Sequence, residues 1–343
     1  MFETTVAGSL PKPIWLAEQE RLWPAWRLEG AALAAAKIDA TVLAVKLQED
    51  SGIDIVSDGE QARVHFVHGF LANLDGIDFS RKTIIGIRAD RYKAEVPTVT
   101  GPIRRKGPVH AAEAGAARAH TRRKLKFTLP GPMTIVDTIA DAYYGDKVKL
   151  AMACAGLLNE EARELAAIGV DVIQFDEPAF NVYAEAVTEW GITALHRAIE
   201  GLSCKTAVHI CYGYGIKANI DWKASLGADW RQYESIFPAL AASRLDQVSV
   251  ECAAAKVPIE LLGLLAGKDV LLGAIDVASE RIETPEEVAV TIERALAFVP
   301  VERLIACTNC GMAPMDRPLA IGKLAALTSG AALVRGRITG KPR

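Results

Sequence analysis

Two side chains that bind soft metals, His209 and Cys211, stand one residue apart in the run KTAVHICYG. On a β-strand, positions i and i+2 face the same side, so both could grip one ion. Taken alone, His-x-Cys fits a buried structural pair as well as it fits a metal site. Its weight comes from two partners further on, Glu251 in DQVSVEC and Cys310 in RLIACTNCG. Nitrogen, sulfur and carboxylate ligands in a roughly tetrahedral set, with one position open to water or substrate, are the pattern of catalytic zinc. Cys307 and Cys310 also form C-x-x-C, which fits a redox pair or half a zinc knuckle. No second C-x-x-C completes a knuckle, and a thioredoxin-like motif would open a helix after an early strand, whereas this one closes the last. Cys310, beside Gly311, is therefore read as the ligand and Cys307 as a core residue. Cys252 should point away from the Glu251 side, and Cys154 and Cys204 should be packing residues.

A second group suits the ends of an amino acid. Asp176 and Glu177 in FDEP, and Asp58 and Glu60 in SDGE, could each be a salt-bridge or capping carboxylate; together, at adjacent strand ends, they could hold an ammonium group. Ser9, after Gly8 in TTVAGSLP, could offer its N–H and hydroxyl to a carboxylate. An amino acid bearing a thiol fits both groups. The rival chemistry is a metal-dependent lyase or hydrolase with an activated water and Glu177 as base; cysteine-rich ligation suits thiol activation better.

Such residues need a scaffold that gathers strand ends. Eight β-rich apolar runs recur along the chain: FETTVAGS, IDIVSDGE, LKFTLPGP, VDVIQFDEP, KTAVHICYG, DQVSVEC, DVLLGAID and RLIACTNCG. Helical patterns lie between them, among them 31–51, 147–168, 184–199 and 285–298. The last opens with Thr284, Pro285 and Glu287, a capping box with proline in the first turn. This alternation predicts a (β/α)8 barrel, with a doubly wound open sheet as the alternative. In a barrel the chemistry sits at the C-terminal strand ends, where Ser9, Glu60, Asp176, His209, Cys211, Glu251, Asp276 and Cys310 all fall. Residues 61–123 are too long for a simple connection between strands 2 and 3. They contain the alternating stretch KTIIGIRADRYKAEVPTVTG, read as an inserted hairpin over the barrel mouth. Arg104, Arg105 and Lys106 in that insertion are read as solvated surface. No repeat or linker divides the chain, so residues 1–343 are expected to form one domain.

Composition narrows the function classes. A formal net charge of -3, with 50% apolar and 24% charged residues, suggests neither disorder nor a polyanionic partner, so nucleic-acid binding is not expected. MFETTVAGSLPKP lacks the basic start and apolar run of a signal peptide, and no stretch looks apolar enough to span a bilayer. A soluble, cytoplasmic protein is expected. Six cysteines in 343 residues then read as reduced thiols or metal ligands rather than a disulfide framework.

In order along the chain, TTVAGSLPKP, SDGE, LPGPMTI, IQFDEPAF, HICYG, SVEC and CTNCGM resemble the catalytic C-terminal half of cobalamin-independent methionine synthases, and most closely the short single-domain forms. The resemblance covers nearly the whole chain. It implies a barrel, a Zn²⁺ ion on His209, Cys211, Glu251 and Cys310, and homocysteine held by Ser9 at its carboxylate and by Glu60 and Asp176 at its ammonium group. Thiol chemistry then has the metal-stabilised thiolate attack a methyl group in line; as homocysteine enters, either one weak ligand, with Glu251 the candidate, moves aside or the coordination number rises. The long enzymes carry a second, N-terminal barrel for the folate tail, for which this chain has no room. They also have a tryptophan after the GPxTI motif, where LPGPMTIVDT places Thr138. Loss of that aromatic platform should weaken pterin binding. The expected donor is therefore a methylcorrinoid, or a methyl group delivered by a partner protein, ahead of methyltetrahydrofolate held by Tyr143 or Tyr144. Alternatives are alkyl transfer to another thiol such as coenzyme M, and a non-catalytic zinc-binding barrel.

Overall fold

Each of the eight apolar runs becomes a parallel strand, because helices cover the outer face and side chains fill the inner one, so both faces of the strand are dry. In the computed structural model, which describes residues 2–18, 24–214, 217–253 and 255–340, the barrel strands are β1 Glu3–Thr4, β2 Ile55–Ser57, β3 Lys124–Pro130, β4 Val172–Asp176, β5 Lys205–Ile210, β6 Gln247–Glu251, β7 Asp269–Ile275 and β8 Leu304–Thr308. Their order around the sheet is β1, β8, β7, β6, β5, β4, β3, β2. A single parallel bridge, Thr5 to Ile55, brings the two ends together. That closure makes the fold a (β/α)8 barrel and removes the open-sheet alternative.

The main core lies between strands and helices, and a small cluster of Ala7, Ile55, Leu271, Ile305 and Cys307 packs separately. Helices Gly30–Asp50 and Lys147–Ile168 fall where the sequence places them. Helix Pro285–Ala295 has the expected capping box, with Thr284 Oγ1 accepting from Glu287 N and Glu287 accepting from Thr284 N. Segment 184–199 is helical as expected, running without a gap as Ala184–Ala186, a π-turn Val187–Gly191 and Ile192–Ala198; a Cβ on Gly191 in that π-turn would lie 2.8 Å from Met133 Cε.

The last helix, Arg317–Thr339, is long and apolar enough to cross a membrane by length and composition, contrary to the expectation that no segment is. Here it packs against Pro285–Ala295, burying Ala320, Leu324, Leu327, Ala331 and Val334 along one stripe.

The insertion between β2 and β3 does contain an antiparallel hairpin, with arms Leu74–Ile87 and Tyr92–Arg105. Its second arm also pairs with Ala140–Asp141. Arg105 is not solvated: its guanidinium is buried against Glu161 and Glu164 at 2.5 Å each, which ties the base of the hairpin to helix Lys147–Ile168. Arg104 and Lys106 are exposed, as expected.

Candidate metal and substrate site

At the end of β5, His209 and Cys211 meet Cys310 from the loop after β8. One ligand atom from each lies within 4.8 Å of the others, and all three residues are buried. His209 Nδ1 bonds Ser249 Oγ at 2.8 Å, and Ser249 sits opposite it on β6. His209 Nε2 has no hydrogen-bond partner among the described residues. If the serine accepts from Nδ1–H, the Nε2 lone pair is the one aimed at the cluster. The two sulfurs are 3.3 Å apart, and no disulfide joins them. The thiol of Cys310 donating to Cys211, with burial opposing and His209 alongside helping, holds Cys211 well below the ordinary thiol range; the same contact pushes Cys310 up. Two buried sulfurs sharing one proton beside an orphaned imidazole nitrogen form a donor set that a soft divalent cation satisfies.

Glu251 lies beside this cluster, but its carboxylate is engaged elsewhere. Lys223 Nζ donates to Oε1 at 2.6 Å, and Tyr212 N donates to Oε2 at 3.0 Å. Burial raises the Glu251 pKa, and Lys223 opposes the rise.

The cluster belongs to the wall of a cavity of ≈ 200 Å³ that Ser9, Glu60 and Asp176 also line. Ser9 sits in the loop after β1, where Met312 N donates to its carbonyl at 2.7 Å and Ala313 N to its hydroxyl at 3.3 Å. Glu60 adopts φ 55°, rare for a residue with a side chain. Its Oε1 accepts from Thr128 Oγ1 at 3.0 Å, and a Cβ on Gly8 would come within 2.6 Å of that oxygen, so only glycine lets the two loops approach. Asp176 Oδ1 accepts from Gln174 Nε2 at 2.7 Å. Burial, with Glu60 adding to it, pushes the Asp176 carboxyl up to about 7, although His209 pulls the other way.

The hairpin roofs the same cavity with Ile87, Arg88, Arg91, Tyr92 and Val96. Its turn has three consecutive positive-φ residues, Arg88, Ala89 and Asp90. Asp137 holds that turn: it pairs with the Arg88 guanidinium and accepts from Tyr183 Oη at 2.7 Å, while Ala89 N donates to the same tyrosine oxygen. Arg91 donates to Asn181 Oδ1 at 3.1 Å and lies 3.3 Å from the centroid of the Trp222 ring.

Other sequence candidates have structural work instead. Glu177 accepts from Met133 N, Thr134 N and Thr134 Oγ1, at the start of helix Pro132–Asp137. Asp58 pairs with Arg63 at 2.8 Å, and both are buried. Asp276 N is bonded to Glu283 Oε1 outside the cavity lining. Thr138 lines the cavity with its hydroxyl turned back to Thr134 O, whereas Tyr144 Oη is occupied by Ile103 N, and neither Tyr143 nor Tyr144 reaches the cavity. Cys307 is fully buried, with Ser249 close by. Sequence reasoning missed Ser249, Lys223, Lys126 and Gln174. Ser249 and Gln174 could have been found by stepping back two residues from Glu251 and Asp176 to the same strand face; Lys223, on a separate helix, left no such signal.

The family described as "Cobalamin-independent synthase, Catalytic domain" matches residues 2–332. A methionine synthase of Sulfolobus acidocaldarius is 31% identical over 340 residues, covering 98% of this chain and 94% of that protein. The structure of a B12-independent methionine synthase from Shewanella sp. W3-18-1, in complex with selenomethionine, superposes with a TM-score of 0.97 at 55% identity and covers 99% of both chains. A methyltransferase from Methanosarcina mazei shares the fold, with a TM-score of 0.62 at 12% identity over 98% of this chain and 94% of that one.

Proposed function

Since the chain belongs to the cobalamin-independent methionine synthase family and is a homocysteine methyltransferase, we propose that it works with a zinc ion held by His209, Cys211, Cys310 and Glu251. We further propose that residues 1–343 act as one domain, with 61–123 as its insertion. The observation that carries the reading is convergence: His209 Nε2 and two cysteine sulfurs face one another in the wall of the cavity that Ser9, Glu60 and Asp176 line.

Zinc bound there would supply the Lewis acidity that keeps a thiol deprotonated near neutral pH. The chain's own residues do the rest. Ser249 holds the His209 ring through Nδ1. With zinc bound, Cys211 and Cys310 would both be thiolates, and their two negative charges would keep a neighbouring sulfur electron-rich. Glu251 would be the fourth residue to hold the ion, and Lys223 and Tyr212 N give its carboxylate a second resting place. Ser9 receives the carboxylate of homocysteine, and Glu60 and Asp176 receive its ammonium group. The hairpin excludes water while the substrate sulfur attacks the methyl carbon in line, forming S–CH₃ as the bond from methyl to donor breaks. The Shewanella relative was solved with selenomethionine; an amino acid of that shape, bound here with its amino and carboxylate groups on those three residues, would share one cavity with His209, Cys211 and Cys310.

For the donor, Thr138 gives a pterin no ring to stack on, and Tyr143 and Tyr144 stand away from the cavity. This favours a methyl group presented at the mouth, by a corrinoid or a carrier protein, over methyltetrahydrofolate; the family's cobalamin independence weighs toward the carrier. Six free thiols suit a reducing, cytoplasmic setting.

The test is to incubate zinc-loaded protein with homocysteine and, in parallel, methylcobalamin or methyltetrahydrofolate carrying one or three glutamates, and to quantify methionine by mass spectrometry. Cys310→Ser should lose both the metal and the product. Methionine production that survives removal of zinc would refute the metal assignment.

A further inference from the structure

Beneath the cavity a lysine is buried inside the barrel with no carboxylate in hydrogen-bond contact among the described residues. Lys126, on β3, is 1% exposed. Its Nζ donates to Val6 O and, at 2.8 Å, to Gln174 Oε1. Gln174, on β4 and fully buried, donates from Nε2 to Ala7 O at 2.6 Å and to Asp176 Oδ1 at 2.7 Å. An amide can sit either way round, but an ammonium group only donates, so the amide oxygen must face Lys126 and the NH₂ must face Ala7 O and Asp176. With Oδ1 held in this way, the carboxylate plane is set and Oδ2 is the oxygen left for a ligand. The same pair grips the backbone of Val6 and Ala7, which leads directly into Gly8 and Ser9.

We propose that Lys126 and Gln174 are positioning residues that set the ammonium end of the substrate site, orienting the Asp176 carboxylate through the Gln174 amide while they anchor on the backbone of Val6 and Ala7. Neither touches substrate. The lysine also places a positive charge near Asp176 and Glu60, both of them buried. This inference rests on the reading of Ser9, Glu60 and Asp176 as the amino-acid grip.

The test separates recognition of the ammonium group from the rest of the site. Binding of methionine and of its desamino analogue, 4-(methylthio)butanoate, is measured by calorimetry on zinc-loaded wild type, Lys126→Met and Gln174→Glu. The second variant keeps the size of the glutamine and pairs with Lys126, but turns an acceptor toward Asp176. Methionine affinity should fall about 10- to 100-fold in both variants, the range expected for losing a hydrogen bond to a charged group, while binding of the analogue changes less than about threefold and zinc content stays at one per chain. Equal methionine affinity in wild type and variants overturns the relay and leaves the grip intact. Equal weakening of both ligands overturns it too, as does failure of both variants to fold, since the pair would then be core structure. If wild type itself does not prefer methionine to the analogue, the amino-acid grip fails, and the relay with it.

Discussion

Among the described residues, Ser249 reaches the proposed metal ligands only through His209, so replacing it measures what orientation of that ring is worth. The bond from His209 Nδ1 to Ser249 Oγ is 2.8 Å long, and the two residues are 4% and 1% exposed, so no bulk water can take the serine's place. In Ser249→Ala the Nδ1–H is left unsatisfied at a cost of about 1–3 kcal/mol, and the imidazole can escape by moving its proton to Nε2, which removes the lone pair the metal needs. That range agrees with the roughly 10- to 100-fold loss of metal affinity typical when such an outer partner is removed. The expected result is a zinc dissociation constant raised about 10- to 100-fold, measured by competition against a chromophoric chelator at fixed pH, with Ser249→Thr recovering most of the loss. Ser249 also contacts Cys307, so Cys307→Ala is the control and should shift the constant little. A folded Ser249→Ala protein that binds zinc like wild type, or a Cys307→Ala protein that loses as much, would refute the argument that the serine sets the tautomer.

Three further outcomes are expected. Burial pushes Asp176 up to about 7, above its unfolded value, so the stability it contributes without ligand is full below the ordinary carboxylate range and is lost as pH rises through about 7; the proposed grip on homocysteine uses the charged form, so binding should strengthen from about pH 6 to pH 8, and Asp176→Asn should flatten that part of the profile. Lys223→Met strands a buried carboxylate, since the two side chains are 13% and 4% exposed; in metal-free protein the loss should approach about 3–5 kcal/mol, whereas zinc, by taking Glu251, should restore most of the melting temperature, and equal losses with and without metal would count against Glu251 as a ligand. Asp137→Asn should loosen the hairpin turn held by Arg88 and Tyr183, seen as faster proteolysis near residues 88–91 with unchanged zinc content; unchanged proteolysis would show that the turn does not depend on this anchor.

The barrel was legible in the sequence because each strand is an apolar run that ends in a small or acidic residue, and a strand end is where a barrel places chemistry. His209, Cys211 and Cys310 could be found for the same reason: they are reactive residue types standing where runs such as KTAVHICYG stop. What stayed hidden involves partners chosen in three dimensions. Arg105 looked like solvent-facing charge, because three basic residues in a row carry no sign of the glutamates waiting on helix Lys147–Ile168. Glu177 looked as reactive as Asp176, but at the start of a six-residue helix its carboxylate is used up by two backbone N–H groups and a hydroxyl. The π-turn at Val187–Gly191 lies where a Cβ on Gly191 would meet Met133 and Phe180, neighbours that helical periodicity cannot register.

The barrel's seam lies between β1 and β2, where one bridge, Thr5 to Ile55, stands in for a full ladder. Beyond it the two chain segments continue to Ser9 on one side and Glu60 on the other. An amino acid held by both would straddle the join like a rivet through two plates, adding non-covalent bonds where the backbone supplies fewest. Substrate and fold are then mechanically coupled. The empty barrel would breathe first along this line, and amide hydrogen exchange around Val6–Leu10 and Ser57–Gln61 would slow when the ligand is seated.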